Sequence, residues 1–562
     1  MNQPDQLNRR KFLGRVGATG AAAVAAGIVG LEPLLGSNHS TAQAAETGPT
    51  GSNQRANQCA KLRRDMAEDG RRSTPPNLQH PTNDDEDIYP NKLGNFSKGL
   101  LHNADGTVDS TAYATLIRAL SSGRQQDFNN IQLGGQLRLT NPQAGLAFDL
   151  EGADAHALVQ PPPPAFASRE IGAEIAENYW MALLRDMPFS EYGAVGNDLA
   201  QAAAADLTQF GDAFKGPKEG GAVTPATLFR GLTPGDLQGP YLSQFFYQPC
   251  HFGANEIDQK ITTAVAGVNY MTDFNTWLAV QRGLSQPAQL LDGTLRYMRN
   301  GRDIGQWVHI DVLFQAYFQA FLCIAGLSTP VDDNNPYRNN PTQDGFGTFG
   351  GPHIATLLCE VSTRALKSVW YQKWFVHRRL RPEVFAARVD RTLHHNAGYP
   401  VDQEILTSLS THSRLGGYLP AGNALLPMAF PEGSPAHPAY GAGHATVAGA
   451  CVTILKAWFK ESTELVNLGA TPVQPNDDGT ALIEYEGGDT GELTVGGELN
   501  KIAANVALGR NIAGVHWRSD ATESLKLGEE VAIRLLREQK GTYNEAFSGF
   551  KLTKFDGSPV VV

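Results

Sequence analysis

Apolar residues recur at helical spacing through most of this chain, and strand-like alternation is rare. Behind a stiff break at Pro161–Pro164, Ile171, Ile175, Tyr179, Ala182 and Leu183 fall on one helical face. Comparable patterns run through Tyr270–Val280, Val308–Ile324, Ile354–Phe375, Ala445–Phe459 and Val531–Leu536. The long loop Ser328–Pro352 parts two groups of helices, and a Gly/Asp-rich insertion at about Gln474–Gly497 precedes the last group. The pattern predicts a mainly α fold, two helical bundles with minor β-hairpins. With 562 residues, 41% of them hydrophobic, there is ample material for a large core.

The ends are of another kind. Arg9 and Arg10 precede Phe12, Leu13 and a mildly apolar Ala/Gly-rich stretch, and Ala42-Gln43-Ala44 supplies small residues for cleavage. This is the layout of a twin-arginine export signal, so residues 1–44 are expected to be removed and the mature protein to be periplasmic or extracellular. No other segment has the length and apolarity of a membrane span. Residues 45–108 form a polar leader, 109–352 the first helical bundle region, 353–540 the second, and 541–562 a C-terminal tail. Lys and Arg number 46 against 57 Asp and Glu, a net charge of −11, which argues against general attraction to nucleic acid or anionic lipid. Any cationic site must be local. The five cysteines (Cys59, Cys250, Cys323, Cys359, Cys451) form no CxxC pair, and most are expected to be buried thiols.

Three segments concentrate polar chemistry. In Lys373-Trp-Phe-Val-His-Arg-Arg-Leu-Arg381-Pro382, a helix would place Lys373 and Arg381 within a quarter turn of each other, and Pro382 would end or kink it. A solvated basic helix end explains the same residues. In His437-Pro-Ala-Tyr-Gly-Ala442-Gly443-His444, glycines precede a helical run. A helix start with unpaired N–H groups suits an anion. In Arg510-Asn-Ile-Ala-Gly514-Val-His516-Trp-Arg-Ser-Asp520, Arg510 and His516 would lie on opposite sides of a straight helix, so a turn at Gly514 is needed to unite them. His516 and Asp520, four apart, can meet on one helix face, where the carboxylate fixes the imidazole tautomer. Each segment alone admits a structural explanation. Together they supply three cationic donors, a helix start and an oriented histidine, the parts that bind a tetrahedral oxyanion.

The order of these segments resembles the vanadium-dependent haloperoxidases, which share their site with the acid phosphatases. The resemblance to the bromoperoxidase branch of algae and cyanobacteria runs from about Asp109 to the C-terminal FDGSPVVV and takes in NPQAGLAFDLEG and TQDGFGTFGGPH. It implies the two-bundle fold of that superfamily. It implies a vanadate cofactor, one per subunit, coordinated by His516 with Asp520 behind it. Lys373, Arg381, Arg510 and the Gly443 N–H would neutralise its oxygens, His444 would act as acid–base, and Trp370 would line the pocket. His437 matches a histidine of the bromoperoxidases where chloroperoxidases place an aromatic, implying ready oxidation of bromide and iodide and poor oxidation of chloride. The implied partners are hydrogen peroxide, halide and an organic acceptor, in a homo-oligomer. Calcium is compatible with such a chain, but no sequence motif calls for it. A phosphatase using the same pocket, with His516 as nucleophile, is the second reading. One departure stands out: Ala442 occupies a position that is usually serine, removing a hydroxyl donor.

Overall fold

The computed structural model describes residues 52–562; the expected export signal and the first residues of the expected leader lie outside them. The chain is mainly α, as the periodicity predicts. The eight helices that build the core are labelled in chain order: α1 Arg169–Leu183, α2 Gly301–Ile310, α3 Gln315–Gly326, α4 Gly351–Tyr371, α5 Pro382–His395, α6 Gly443–Trp458, α7 Val495–Ile512 and α8 Arg518–Lys540. The strands form two-stranded antiparallel hairpins, among them β1–β2 (Cys250–Phe252 with Asn255–Ile257) and β3–β4 (Lys551–Thr553 with Pro559–Val561). Among the described residues no single helix is long and apolar enough to cross a membrane.

Helix α6 is the axis. It is apolar on all sides, its residues from Ala445 to Trp458 are buried, and it packs most extensively on α8, then on α4 and α7. Glycine permits the closest of these crossings. A Cβ at Gly449 would collide with the Leu525 carbonyl of α8, and one at Gly528 with the Thr446 carbonyl of α6. Because α6 begins at Gly443 and α8 begins just after His516, this backbone contact fixes how two of the three polar segments face each other.

The structure corrects several expectations. The pattern Val308–Ile324 is two helices, not one: α2 ends at Ile310 and α3 starts at Gln315 after a bend of 104°. Residues 45–108 are not a polar leader throughout, since Leu93 joins the main core and Phe96, Leu100 and Val108 form a smaller one with Trp374. The helices on either side of residue 352 share one core, in which Trp180 and Trp277 cluster with Trp458 and Trp517. Of the cysteines, Cys250, Cys323 and Cys451 are buried, Cys359 is half-buried and Cys59 is exposed, all as free thiols.

Candidate active site

Lys373 and Arg381 do not share a helix. After Tyr371 the coil widens into a π turn through His377, Arg378 takes a left-handed conformation (φ 40°), and Arg379–Arg381 run extended before Pro382 opens α5. The proline starts a helix; it does not end one. The extended strip is templated by the segment read as leader, through Phe96 N–H to Arg378 O (2.7 Å) and Leu380 N–H to Gly94 O (3.1 Å). Both cations then reach one loop. Lys373 Nζ donates to the carbonyls of Pro438 (2.8 Å) and Ala439 (3.0 Å), and Arg381 Nη2 donates to the carbonyl (2.8 Å) and Nδ1 (2.9 Å) of His437.

Arg510 arrives from the last turn of α7, with Nη1 on Val308 O at 2.7 Å. The turn predicted at Gly514 is present, with φ 88°, a conformation that a side chain rarely adopts. Arg381 Nη1 lies 3.0 Å from His516 Nε2, and His516 Nδ1 donates to Asp520 Oδ2 at 2.8 Å. The pair meets across a helix entrance and not on a helix face: His516 precedes α8, and Asp520, in its first turn, also accepts from Trp517 N at 3.2 Å. With its proton on Nδ1, the imidazole presents the Nε2 lone pair to the site.

At the start of α6, Ala442 is the N-cap and supplies no side-chain bond, so no local hydroxyl caps the first N–H groups. Its own N–H donates to Ser524 Oγ (2.7 Å). Gly443 is small because of its neighbour: a Cβ there would stand 3.2 Å from the Trp370 ring, which packs 4.9 Å from His437 and 5.7 Å from Lys373 Nζ. Trp370 thus stands against Gly443, His437 and Lys373. His444 Nε2 meets Asp311 Oδ1 at 2.9 Å. His444 is the only partly exposed histidine of this group; the Asp311 side chain is buried and its second oxygen has no partner among the described residues.

The electrostatics are one-sided. Lys373, Arg381, Arg510 and His516 are buried, and among the described residues no carboxylate pairs with any of the three cations. Arg510 Nε is buried with no partner. Burial, then Arg381, pushes the Lys373 ammonium well below its usual range, and burial takes Arg381 down to about 9 and Arg510 to about 10. His516 is held neutral by burial and then by Arg381 and Lys373, and His437 by burial and then by Lys373 and Arg381. Such a cluster suits an anion: a compact negative group at the point of convergence would relieve several kcal/mol of uncompensated desolvation.

The structure therefore brings together all ten residues singled out in sequence. It adds three groups that the sequence reading missed. Asp311 sits in the break between α2 and α3, where a carboxylate interrupts an otherwise apolar helical pattern. Arg379 and Glu174 stand behind Asp520, and only the third arginine in Arg378-Arg379-Leu-Arg381 hinted at a task for Arg379. Ser524, within α8, carried no signal at all.

Comparison with known proteins points the same way. Residues 365–545 match the family model for the VCPO second helical-bundle domain. Vanadium-dependent bromoperoxidases of Corallina pilulifera and Corallina officinalis are each 36% identical, over 85% of this chain and 92% of theirs. That of Ascophyllum nodosum is 35% identical over 83% of this chain and 86% of its own. The homohexameric structure of a second vanadate-dependent bromoperoxidase from Ascophyllum nodosum superposes with a TM-score of 0.84 at 31% identity, covering 95% of this chain and 94% of that one. Identity of this extent, over most of both chains, places the chain in the vanadium-dependent bromoperoxidase family.

Proposed function

We propose that the protein binds one vanadate per chain and uses hydrogen peroxide to oxidise bromide and iodide to hypohalous acids, which halogenate organic acceptors. One observation carries the reading: three buried cations, with no carboxylate partner among the described residues, converge beside the neutral His516. The donor set fits an oxyanion of this kind. Lys373, Arg381, Arg510 and the Gly443 N–H would neutralise its oxygens, and His516 Nε2 would be its one covalent protein link. Bound there, vanadate supplies a Lewis acid that polarises peroxide without changing oxidation state.

The chain's own groups do the rest. Asp520 holds the His516 tautomer. His444, with Nε2 on Asp311, keeps Nδ1 for proton transfer, and its partial exposure lets that proton exchange with solvent. Lys373 contributes positive charge where negative charge develops. His437 fixes the Arg381 fork and, with Trp370, shapes the space a halide approaches; a histidine there supports preference for bromide and iodide over chloride. The phosphatase reading is not favoured, since the relatives named above are bromoperoxidases. Assembly as a homo-oligomer is supported by the homohexameric relative. Export through the twin-arginine route is supported by Arg9-Arg10 and the small residues at 42–44. No group of three or more His, Cys, Asp or Glu among the described residues is arranged to hold a metal ion, and calcium is not part of the proposal.

The test is bromination of an organic acceptor by purified apoprotein before and after orthovanadate, beside hydrolysis of a phosphate ester. Bromination that appears with vanadate is the expected result. Ester hydrolysis without bromination would overturn the proposal.

A further inference from the structure

The strip Arg379-Leu380-Arg381 is extended, so its two arginines, two residues apart, lie on one side and both reach the His516–Asp520 unit. Arg381 faces His516 Nε2. Arg379 reaches the same unit from behind, at its Asp520 end, and is fully buried. Its Nη1 donates to Asp520 Oδ1 (2.8 Å) and Ser519 Oγ (2.9 Å), its Nη2 to Glu174 Oε2 (2.7 Å), and its guanidinium stacks over Trp517 with 4.8 Å to the ring centre. Asp520 is thereby divided: Oδ1 belongs to Arg379, Oδ2 to His516. Trp517 Nε1 donates to Leu380 O at 3.0 Å, tying the middle of the strip to the residue after His516. One tripeptide therefore grips the His516–Asp520 unit at both ends.

We propose that Arg379 is a positioning residue for the oxyanion site, holding Asp520, with Glu174 as its anchor, so that His516 Nε2 stays aimed where Arg381 converges. This inference rests on the proposed vanadate site. The physical reason is geometric. A carboxylate with a single partner turns about its last side-chain bond, whereas one gripped on both oxygens cannot, and the imidazole it bonds inherits that fixed orientation. A guanidinium suits the task because its planar fork bridges Asp520 and Glu174 at once, which a lysine ammonium on a flexible stem does not reproduce. Glu174 in turn accepts from Ser519 N–H, so the anchor lies on α1 while the oriented pair opens α8. Removing the partner behind a ligating histidine weakens metal-site affinity by about 10–100-fold. Arg379 acts one bond further back, and about tenfold is expected.

The experiment is a double-mutant cycle on vanadate affinity, measured by equilibrium dialysis of apoprotein against orthovanadate with vanadium determined elementally. Arg379→Lys keeps the buried charge and is the primary variant; Arg379→Gln is the harsher one, and Asp520→Asn the partner. The expected result is about tenfold weaker vanadate for Arg379→Lys, but less than about twofold further loss when it is combined with Asp520→Asn, because Arg379 acts through Asp520. The KM values for peroxide and bromide at saturating vanadate should move less than about twofold. A merely structural role lowers the thermal midpoint but leaves the two losses additive. Additive losses, or unchanged affinity in a folded Arg379→Lys protein, overturn the inference. If Arg379→Gln does not fold, the lysine cycle decides alone; if neither folds, Glu174→Gln, which releases only the anchor, must show the same non-additivity with Asp520→Asn or the inference fails. Wild-type protein that takes up no vanadate overturns the parent reading and this one with it, whereas binding with an additive cycle overturns only this one.

Discussion

If the site is a buried cluster of unpaired cations, its anion should hold the fold together, and removing one cation should abolish that gain. Consider Lys373→Met. A ligand that binds only the folded state stabilises it by RT ln(1 + [L]/Kd), about 2.7 kcal/mol at a hundred times Kd. Unfolding entropy of about 2.1 cal/mol/K per residue over roughly 500 folded residues is ~1 kcal/mol/K, so vanadate at that level should raise the wild-type midpoint by about 2–3 °C. Lys373 contributes a charge-assisted contact worth about 2–3 kcal/mol, and its loss weakens vanadate by roughly 30–150-fold. At the same vanadate concentration the variant gains only about 0.3–0.9 kcal/mol, a shift of less than ~1 °C. Without vanadate the comparison changes sign or nearly vanishes. The substitution removes an ammonium that burial and Arg381 disfavour, against two lost bonds to Pro438 and Ala439, so the apoprotein should lose little stability or gain some. Differential scanning fluorimetry at one scan rate, with and without orthovanadate, reads all four states. Retention of the full vanadate increment in Lys373→Met would refute the convergence argument. A large drop in the apoprotein midpoint would show that the lysine is a structural donor to the 438–439 carbonyls.

Three further outcomes are expected. Ala442→Ser should tighten vanadate by up to about tenfold, ~1.4 kcal/mol, and a serine capping α6 should stabilise the apoprotein by about 1 kcal/mol; clearly weaker vanadate uptake in a dialysis titration would show that this loop is built around alanine. Asp311→Asn should slow bromination at saturating peroxide and vanadate by at least about tenfold while leaving vanadate affinity within about threefold, since Asp311 orients His444 and touches none of the three cations; steady-state kinetics beside dialysis decide, and equal losses in both would discard the role. His102 is buried between Ser97 Oγ and Leu100 O, and burial lowers its imidazole from 6.5 to about 4. Over that window the unfolded chain takes up a proton that the folded chain refuses, so stability falls as pH drops from 6.5 toward 4, by roughly 3 kcal/mol from this residue. Urea midpoints of His102→Gln between pH 6.5 and 4.5 should fall less steeply than those of wild type, and parallel curves would remove His102 from the acid limb.

How legible was all this in the chain? Helical periodicity determined the mainly α fold and placed α1, α4 and α6 well, though it marked only a part of α8, because burying one face of a helix leaves a repeat in the sequence itself. Residue type and order determined the site's inventory: cations, histidines and an aspartate at spacings that an oxyanion site needs. The turn at Gly514 was readable for the same local reason, since two residues six apart cannot otherwise serve one point.

What the sequence left open was how those residues reach one another. Lys373 and Arg381 converge not through a shared helix but through a π turn and an extended strip templated by Gly94 and Phe96, nearly three hundred residues earlier. Asp311 meets His444, and Arg379 meets Asp520 and Glu174, across 133, 141 and 205 residues of chain. Spacing encodes contacts within a turn of helix; a contact between distant segments depends on how closely helices approach, and here that was decided by Gly449 and Gly528, which let α6 and α8 touch backbone to backbone. The sequence by itself determined which chemistry the protein could assemble, and only the tertiary packing decided that, among the described residues, the three cations would be buried without a carboxylate partner, the arrangement on which the proposed oxyanion site rests.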